Sequence, residues 1–382
     1  MYKLAYFVTH PIQYQAPLLR QLSLHPEIDL HVFFLCNPHT EEYVDEGFNQ
    51  KVSWDVPLLE GYKYEFIDSD LKPGRINFQN PKVDHKELKQ IIQKGEWDAI
   101  WFHGYINKAL LYGIWVCSQS KIPFFFRAES NLCCTSTGFF KDRLIRWIVR
   151  KAAGLLWISS DNKDYYKHYG APDEKLFFVP YAVDNRFFQE LPKLEKDPVK
   201  QVVLYASKFI KRKHAPLLIE AFYEVTQEKK LKNVELWFIG DGEEKQVMEN
   251  LIVKYGCENI KMFGFKNQTE LPSYFSQCDV FVLPSQKEPF GLIINEVMNA
   301  AKPIITTAEV GSARDLVKPG INGWVIEAGS KEALKNALSE ALSVETDLVK
   351  MGQQSLAIIN KWSFEQDVEG ICAALKRIKN EG

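Results

Sequence analysis

Short apolar runs recur along this chain and alternate with longer stretches in which apolar residues return at helical spacing. The first half carries such runs at Leu4–Val8, Leu30–Leu35, Tyr64–Ile67, Ala99–Phe102, Phe124–Phe126, Leu155–Ile158 and Leu176–Val179. The second half carries them at Val202–Tyr205, Val234–Ile239, Ile260–Phe263, Val280–Leu283, Ile304–Thr306 and Trp324–Ile326. A brief run that is apolar throughout suits a strand buried on both faces, and strands alternating with helices predict parallel sheets covered by helices on each side. Between the two sets lies DNRFFQELPKLEKDPVKQ, residues 184–201, charged, interrupted by prolines and without a sustained period, which reads as a linker. The expected architecture is α/β, with two doubly wound, Rossmann-like domains that place ligands at the carboxyl ends of their strands, in the cleft between them.

A length of 382 residues supports this division, because single cores rarely grow that large. Charge is nearly balanced, with 47 basic and 49 acidic residues, and gives no general reason to expect a nucleic-acid partner. The 7 cysteines are odd in number and form no C-x-x-C pair, which argues against a disulfide framework or a zinc site and for a reducing compartment. The opening MYKLAYFVTHPIQY runs into a strand without a signal-peptide layout, and no apolar run is long enough to span a membrane, so a cytoplasmic location is expected.

Candidate chemistry concentrates in QKEPFGLIINEVMNAAKPI, residues 286–304. The preceding DVFVLPS reads as a buried strand, and the residues from Leu292 onward suit a helix that Pro303 limits. Strand, tight turn and helix leave Gly291 where the backbone approaches something closely, and leave first-turn N–H groups free for an anion. Helical side chains lean back toward the amino terminus, so Glu296 reaches over that turn and shares a ligand with Glu288. Carboxylates beside phosphate are repelled, so the pair suits hydroxyl groups of a sugar or ribose. A solvated loop and helix face are the plain alternative for the same two residues.

The longer stretch VFVLPSQKEPFGLIINEVMNAAKPIITTAEVGSARDLV resembles the donor-site signature of family 4 glycosyltransferases, a retaining family with the GT-B fold, and Glu288 and Glu296 match its E-x7-E motif. VPYAVDNRFF, YASKFIKRKHAPLLIEAF, LWFIGDGEE and KMFGF match in order, so the similarity covers most of residues 150–330 and is weak before residue 95. The resemblance implies that Glu296 holds the nucleotide ribose and Glu288 faces the transferred sugar. It implies that the amides around Phe290, Gly291 and Leu292 hold the diphosphate, with Gly240, Gly264 and Phe265 also on the donor side. Lys208 and Lys213 match the basic pair that neutralises the leaving group in place of a metal, so no metal or other cofactor is expected. His103 matches a histidine near the reacting sugar. Arg127 and Glu129 of FRAES, with His10 and Gln13 of THPIQYQ, are expected on the acceptor side, although the glycine-rich turn common there in the family is missing. The implied domains are 1–184, completed by a C-terminal helix at 363–382, then the linker 185–201 and a donor domain over 202–362. The implied activity is transfer of a sugar from a nucleotide-diphosphate sugar to a glycan or lipid-linked acceptor. The family often has glycine at the positions of Ser312 and Ala301, and arginine where this chain has Lys208, departures that bear on donor identity.

Other readings stay open. Asp68-Ser69-Asp70 could hold a metal in a GT-A-like transferase, although Asp and Ser before Pro-Gly are ordinary turn residues. A GT-B epimerase would act on the donor alone, and a catalytically silent partner subunit would bind the sugar nucleotide without turning it over. A dehydrogenase is disfavoured, because GDGEEK lacks the third glycine of the dinucleotide fingerprint. KDRLIRWIVRKAAG sets Arg143, Arg146 and Arg150 on one helical face and Leu144, Ile145, Ile148 and Val149 on others, a pattern suited to peripheral contact with an anionic membrane.

Overall fold

The computed structural model describes residues 1–36, 43–45, 50–52, 55–67, 77–79, 81–135, 138–190 and 196–381. The chain divides into two compact units, Met1–Tyr43 with Val56–Asp184 and Ser363–Gly382, and Val44–Asp55 with Asn185–Trp362. Its strands are β1 Tyr2–Val8, β2 Ile28–Phe34, β3 Tyr43–Asp45, β4 Gln50–Val52, β5 Lys63–Phe66, β6 Ala99–His103, β7 Phe124–Arg127, β8 Gly154–Trp157, β9 Leu176–Phe178, β10 Gln201–Ala206, β11 Val234–Ile239, β12 Ile260–Met262, β13 Val280–Leu283, β14 Ile304–Thr307 and β15 Gly323–Ile326. Every run read as a strand from its apolarity is one; the short pair β3 and β4 was not foreseen.

In the first unit a 7-stranded sheet runs β5-β2-β1-β6-β7-β8-β9, with parallel pairing throughout. The register sets Phe33, Phe7, Phe102 and Phe126 side by side across four strands. The rings of Phe7 and Phe33 stack at 4.8 Å, those of Phe7 and Phe102 at 5.5 Å, and all four side chains are buried. Each such burial is worth roughly 1.5–3 kcal/mol, so this row anchors the sheet to the helices above it. The order reverses between β1 and β6, which makes their carboxyl ends a topological switch point.

The second unit repeats the plan with a 6-stranded parallel sheet, β12-β11-β10-β13-β14-β15. Here the reversal falls between β10 and β13, so the loops that follow those strands flank the switch point. Each strand of this sheet presents buried apolar side chains, among them Val203, Leu236, Val282 and Ile305, as both-face burial requires.

Two expectations need amendment. The stretch 185–201 is not linker throughout, because Asn185–Glu190 is helical and Phe188 is buried, its ring 6.4 Å from that of Phe275. Burial of one large side chain outweighed the missing period. The helix Phe139–Lys151 does not offer its apolar side to a membrane: Ile145, Ile148 and Val149 are buried in the first unit's core, while Arg143, Arg146 and Arg150 are exposed. No described helix is long and apolar enough to cross a membrane. Asp68-Ser69-Asp70 lies outside the described residues.

Candidate functional site

In the second unit, the chain after β10 ends in the 3-10 turn Lys211–Lys213. Lys213 is buried, and its ammonium pairs with the carboxylate of Glu288, which lies in the loop after β13. Arg212 Nη1 donates to the same Glu288 oxygen at 3.3 Å and to the Lys287 carbonyl at 2.6 Å. Backbone bonds fix the loop from both sides. Gln286 N donates to the Arg212 carbonyl at 2.7 Å, Glu288 N to the Glu309 carbonyl at 3.1 Å, Gly311 N to the Glu288 carbonyl at 3.0 Å and Ser312 N to the Phe290 carbonyl at 2.9 Å. Burial pulls the Lys213 ammonium below the usual lysine range, Glu288 holds it up, and the cations of Arg212 and Lys208 push it down again. The result is a concentrated positive charge that one carboxylate stabilises.

Next along the chain, Gly291 has φ 89°, a conformation that favours glycine, and a Cβ there would sit 2.9 Å from Val310 Cγ1. The amides of Gly291 and Leu292 donate to no carbonyl among the described residues. The helix Ile293–Met298 follows, and half-buried Glu296 projects from it with no hydrogen-bond or ion-pair partner among the described residues. Burial raises the Glu296 carboxyl to about 8. Phe290 is buried with its ring 6.5 Å from that of Trp362, so it is the main chain at 290, not the ring, that faces the loops. Gly240 closes the other flank: its φ is 135°, and a Cβ there would come within 2.0 Å of the Ser207 carbonyl oxygen. Gly240 N donates to the Gly264 carbonyl at 2.9 Å, which brings Phe265 beside the same group of loops. Half-buried Lys208 lies in the β10 loop, with its carbonyl accepting from the Tyr205 hydroxyl at 3.4 Å.

The sequence reading thus named Lys208, Lys213, Glu288, Gly291, Leu292 and Glu296, and the second unit brings their elements to one edge of its sheet. It missed Arg212, the second cation on Glu288, although KRK in the matching stretch displayed it. Ser312, noted in the sequence only as a departure from the family's glycine, is fully buried with an Oγ that has no hydrogen-bond partner among the described residues. Ala301, where the resembling family often has glycine, has φ 57°, a strained value for a residue with a Cβ.

The first unit builds its cluster differently. His103 ends β6 and is buried, with Gln15 Nε2 3.0 Å from its Nε2 and 3.3 Å from its Nδ1. The Tyr181 hydroxyl lies 3.0 Å from His103 Nε2 and donates to Glu129 Oε1 at 2.5 Å, where the Tyr14 hydroxyl also donates at 3.0 Å. The Tyr6 hydroxyl donates to Gln15 Oε1 at 2.6 Å. Burial, then Arg127 and His10, depress His103 well below the usual histidine range, so the imidazole is neutral. Tyr181 is pushed up by burial and then by Glu129, and remains a phenol that can donate.

Arg127 is the correction here. Expected to line an acceptor site, it is 2% exposed and held from within the first unit, although its buried Nε has no hydrogen-bond partner among the described residues. Its Nη2 donates to the Pro180 carbonyl at 2.7 Å and to Asp367 Oδ1 at 3.2 Å, and its guanidinium lies 4.6 Å from the Tyr181 ring centroid. A buried cation needs such partners, and the helix Phe364–Glu381 supplies the carboxylate. Burial raises that Asp367 carboxyl, opposed by Arg127. Glu129 is exposed, half-buried His10 has its Nδ1 2.8 Å from Thr9 Oγ1, and half-buried Gln13 keeps an Oε1 without a hydrogen-bond partner. Tyr14 and Gln15 lay inside the quoted THPIQYQ and Tyr181 inside VPYAVDNRFF without being singled out, and Asp367 had no signal of its own in the sequence.

With this geometry in hand, the likenesses to other proteins fall into place. Residues 187–356 match the family model Glycosyl transferases group 1. The chain is 30% identical over 168 residues to an uncharacterized glycosyltransferase of Methanocaldococcus jannaschii, covering 44% of this chain and 46% of that protein. It is 29% identical over 168 residues to a lipopolysaccharide core biosynthesis glycosyltransferase of Rhizobium meliloti, covering 43% and 47%. The chain spans about half the length of the curated relatives it matches. Among solved structures, the Anabaena protein HepE, in complex with UDP and glucose, superimposes with a TM-score of 0.70 at 19% identity over 99% of this chain and 100% of that one. The fold is therefore that of the GT-B glycosyltransferases, two parallel-sheet Rossmann-like domains.

Proposed function

We propose that this chain is a retaining, metal-independent glycosyltransferase that moves a sugar from a nucleotide-diphosphate sugar to a glycan or lipid-linked acceptor. The observation that carries the reading is the buried Lys213, held against Glu288 at the switch point of the second sheet with Glu296 on the following helix, all inside the segment that matches the family model. A departing diphosphate gains negative charge as the glycosidic bond breaks, and Lys213, Lys208 and the Gly291 and Leu292 amides are fixed donors for that charge. Glu288 keeps Lys213 charged despite its burial and faces a sugar that turns positive. Glu296 accepts from ribose hydroxyls. Retention places the acceptor hydroxyl on the face the diphosphate leaves. The lipopolysaccharide-core activity of the Rhizobium meliloti relative, and the UDP and glucose bound to HepE, support a nucleotide-sugar donor and a glycan acceptor.

The test is turnover of UDP-, GDP- and ADP-sugars with and without a glycolipid extract, in excess chelator. Release of nucleoside diphosphate that requires the acceptor, with the anomeric configuration kept, is the expected result. Isomerisation of the donor without acceptor would make the protein an epimerase, binding without turnover a silent partner, and full loss of turnover restored by manganese or magnesium a metal-dependent enzyme.

A membrane partner belongs to the same reading on narrower ground. Phe139 and Phe140 are 75% and 86% exposed at the start of the helix that carries exposed Arg143, Arg146 and Arg150, so those two rings and the arginines, not the buried apolar side, form the contact. Flotation with anionic vesicles should fall in a Phe139→Ser/Phe140→Ser variant; equal recovery of the variant and the wild type removes the idea.

A further inference from the structure

Cys372 belongs to the first unit and has no part in the chemistry proposed above. It sits on the helix Phe364–Glu381, is buried, and its sulfur is 3.9 Å from Nδ1 and 3.8 Å from Nε2 of His25. Glu27 stands two residues beyond His25, and one ligand atom from each of His25, Glu27 and Cys372 lies within 4.8 Å of the others. All three belong to the first unit, just before β2 begins at Ile28, which is the opposite end of the parallel sheet from His103.

Tetrahedral zinc, with bonds of about 2.3 Å to sulfur and about 2.0 Å to nitrogen or oxygen, holds its ligand atoms roughly 3.3–3.6 Å apart. The sulfur stands 3.8 Å from His25 Nε2, within a few tenths of an ångström of that spacing; Nδ1 accepts from Glu27 N at 3.3 Å, which leaves Nε2 to face the ion, and the exposed Glu27 side chain closes the rest once it leaves Lys376. Thiolate, imidazole and carboxylate together suit a borderline-soft divalent ion, whereas calcium and magnesium prefer oxygen alone. One thiolate and one carboxylate also neutralise the ion's two charges.

We propose that Cys372, His25 and Glu27 form a zinc site that clips the helix Phe364–Glu381 to the amino-terminal end of β2, with water completing the coordination on the exposed side. Zinc takes the place of the thiol proton, which passes to solvent. Without the ion the thiol stays protonated, because burial and Glu27 both push its pKa up. Glu27 must release Lys376, whose Nζ is 3.4 Å from its carboxylate; both partners are exposed, so the loss is small. The helix so clipped is the one that brings Asp367 to Arg127, which gives the clip a purpose in holding the first unit together.

The experiment is a titration of the reduced, metal-stripped full chain with Co²⁺, then Zn²⁺, followed by thiolate-to-cobalt charge-transfer absorption and by thermal melting. One equivalent of Co²⁺ is expected to give the band, Zn²⁺ to displace it, and Zn²⁺ to raise the melting midpoint. Cys372→Ser should lose the band, and His25→Gln and Glu27→Gln should weaken uptake by ~10-fold or more. Absence of uptake by the wild type, or an unchanged band in Cys372→Ser, overturns the proposal. Should Cys372→Ser fail to fold by circular dichroism, the other two variants decide, and wild-type affinity in both overturns it as well.

Discussion

In the second unit the charged groups hang from loops whose backbones hold one another: Glu288 is fixed by main-chain bonds to Glu309 and Gly311, so its carboxylate is spare for Lys213 and Arg212. In the first unit the side chains themselves hold the cluster together, from Tyr6 through Gln15, His103, Tyr181 and Glu129, with Arg127 and Asp367 beneath. A cluster held by backbone can lose a side chain and keep its shape. One held by side chains cannot. Chemistry and stability should therefore separate in the second unit and be entangled in the first.

The largest effect expected on that view is in the first unit. Asp367→Leu leaves Arg127 buried with only the Pro180 carbonyl, and urea denaturation should register a loss of about 3–5 kcal/mol. Lys213→Met should cost ~100-fold or more in kcat, because it removes a donor aimed at charge that grows in the transition state, while the melting midpoint stays close to that of the wild type. Were Lys213→Met to unfold the protein as readily as Asp367→Leu, or to raise only the donor KM, the contrast between the two clusters would be lost.

A smaller effect sharpens the role of Glu296. Its carboxyl is raised to about 8, so at neutral pH it accepts from hydroxyls largely through its carbonyl oxygen, and it gains the charge and second acceptor oxygen that strengthen those bonds as pH rises. Donor affinity should therefore tighten by ~10-fold between pH 7 and 9 in the wild type relative to Glu296→Gln, measured by calorimetry. Parallel profiles would sever Glu296 from the donor. The smallest effect is local: Ala301→Gly relieves a left-handed φ and should stabilise the second unit by about 1 kcal/mol in thermal melts. A loss instead would mean that the Ala301 side chain contributes more than its backbone costs.

How much of this was legible depended on how local each cause was. Apolar runs such as Val280–Leu283 declare buried strands, because the need to hide both faces acts on consecutive residues; the same local logic set Gly291 and Glu296 around one turn. The helix Asn185–Glu190 was missed because its cause, a pocket for Phe188 beside Phe275, lies elsewhere in the chain. Arg127 was misread for the same reason, since nothing near it announces a carboxylate 240 residues away.

Short spacings along the chain specify two parallel α/β sheets and point to the glutamates and lysines of the second, because strand burial and loop-to-helix turns act on neighbouring residues. Tertiary structure alone decided what each charge meets. It paired Lys213 with Glu288 across the switch point, neutralised His103, buried Arg127 against Asp367 and set Cys372 beside His25, 347 residues apart. Such pairings depend on strand order and on the path of a returning helix. Burial then makes them matter, since a charge removed from water must find its partner wherever the fold brings one.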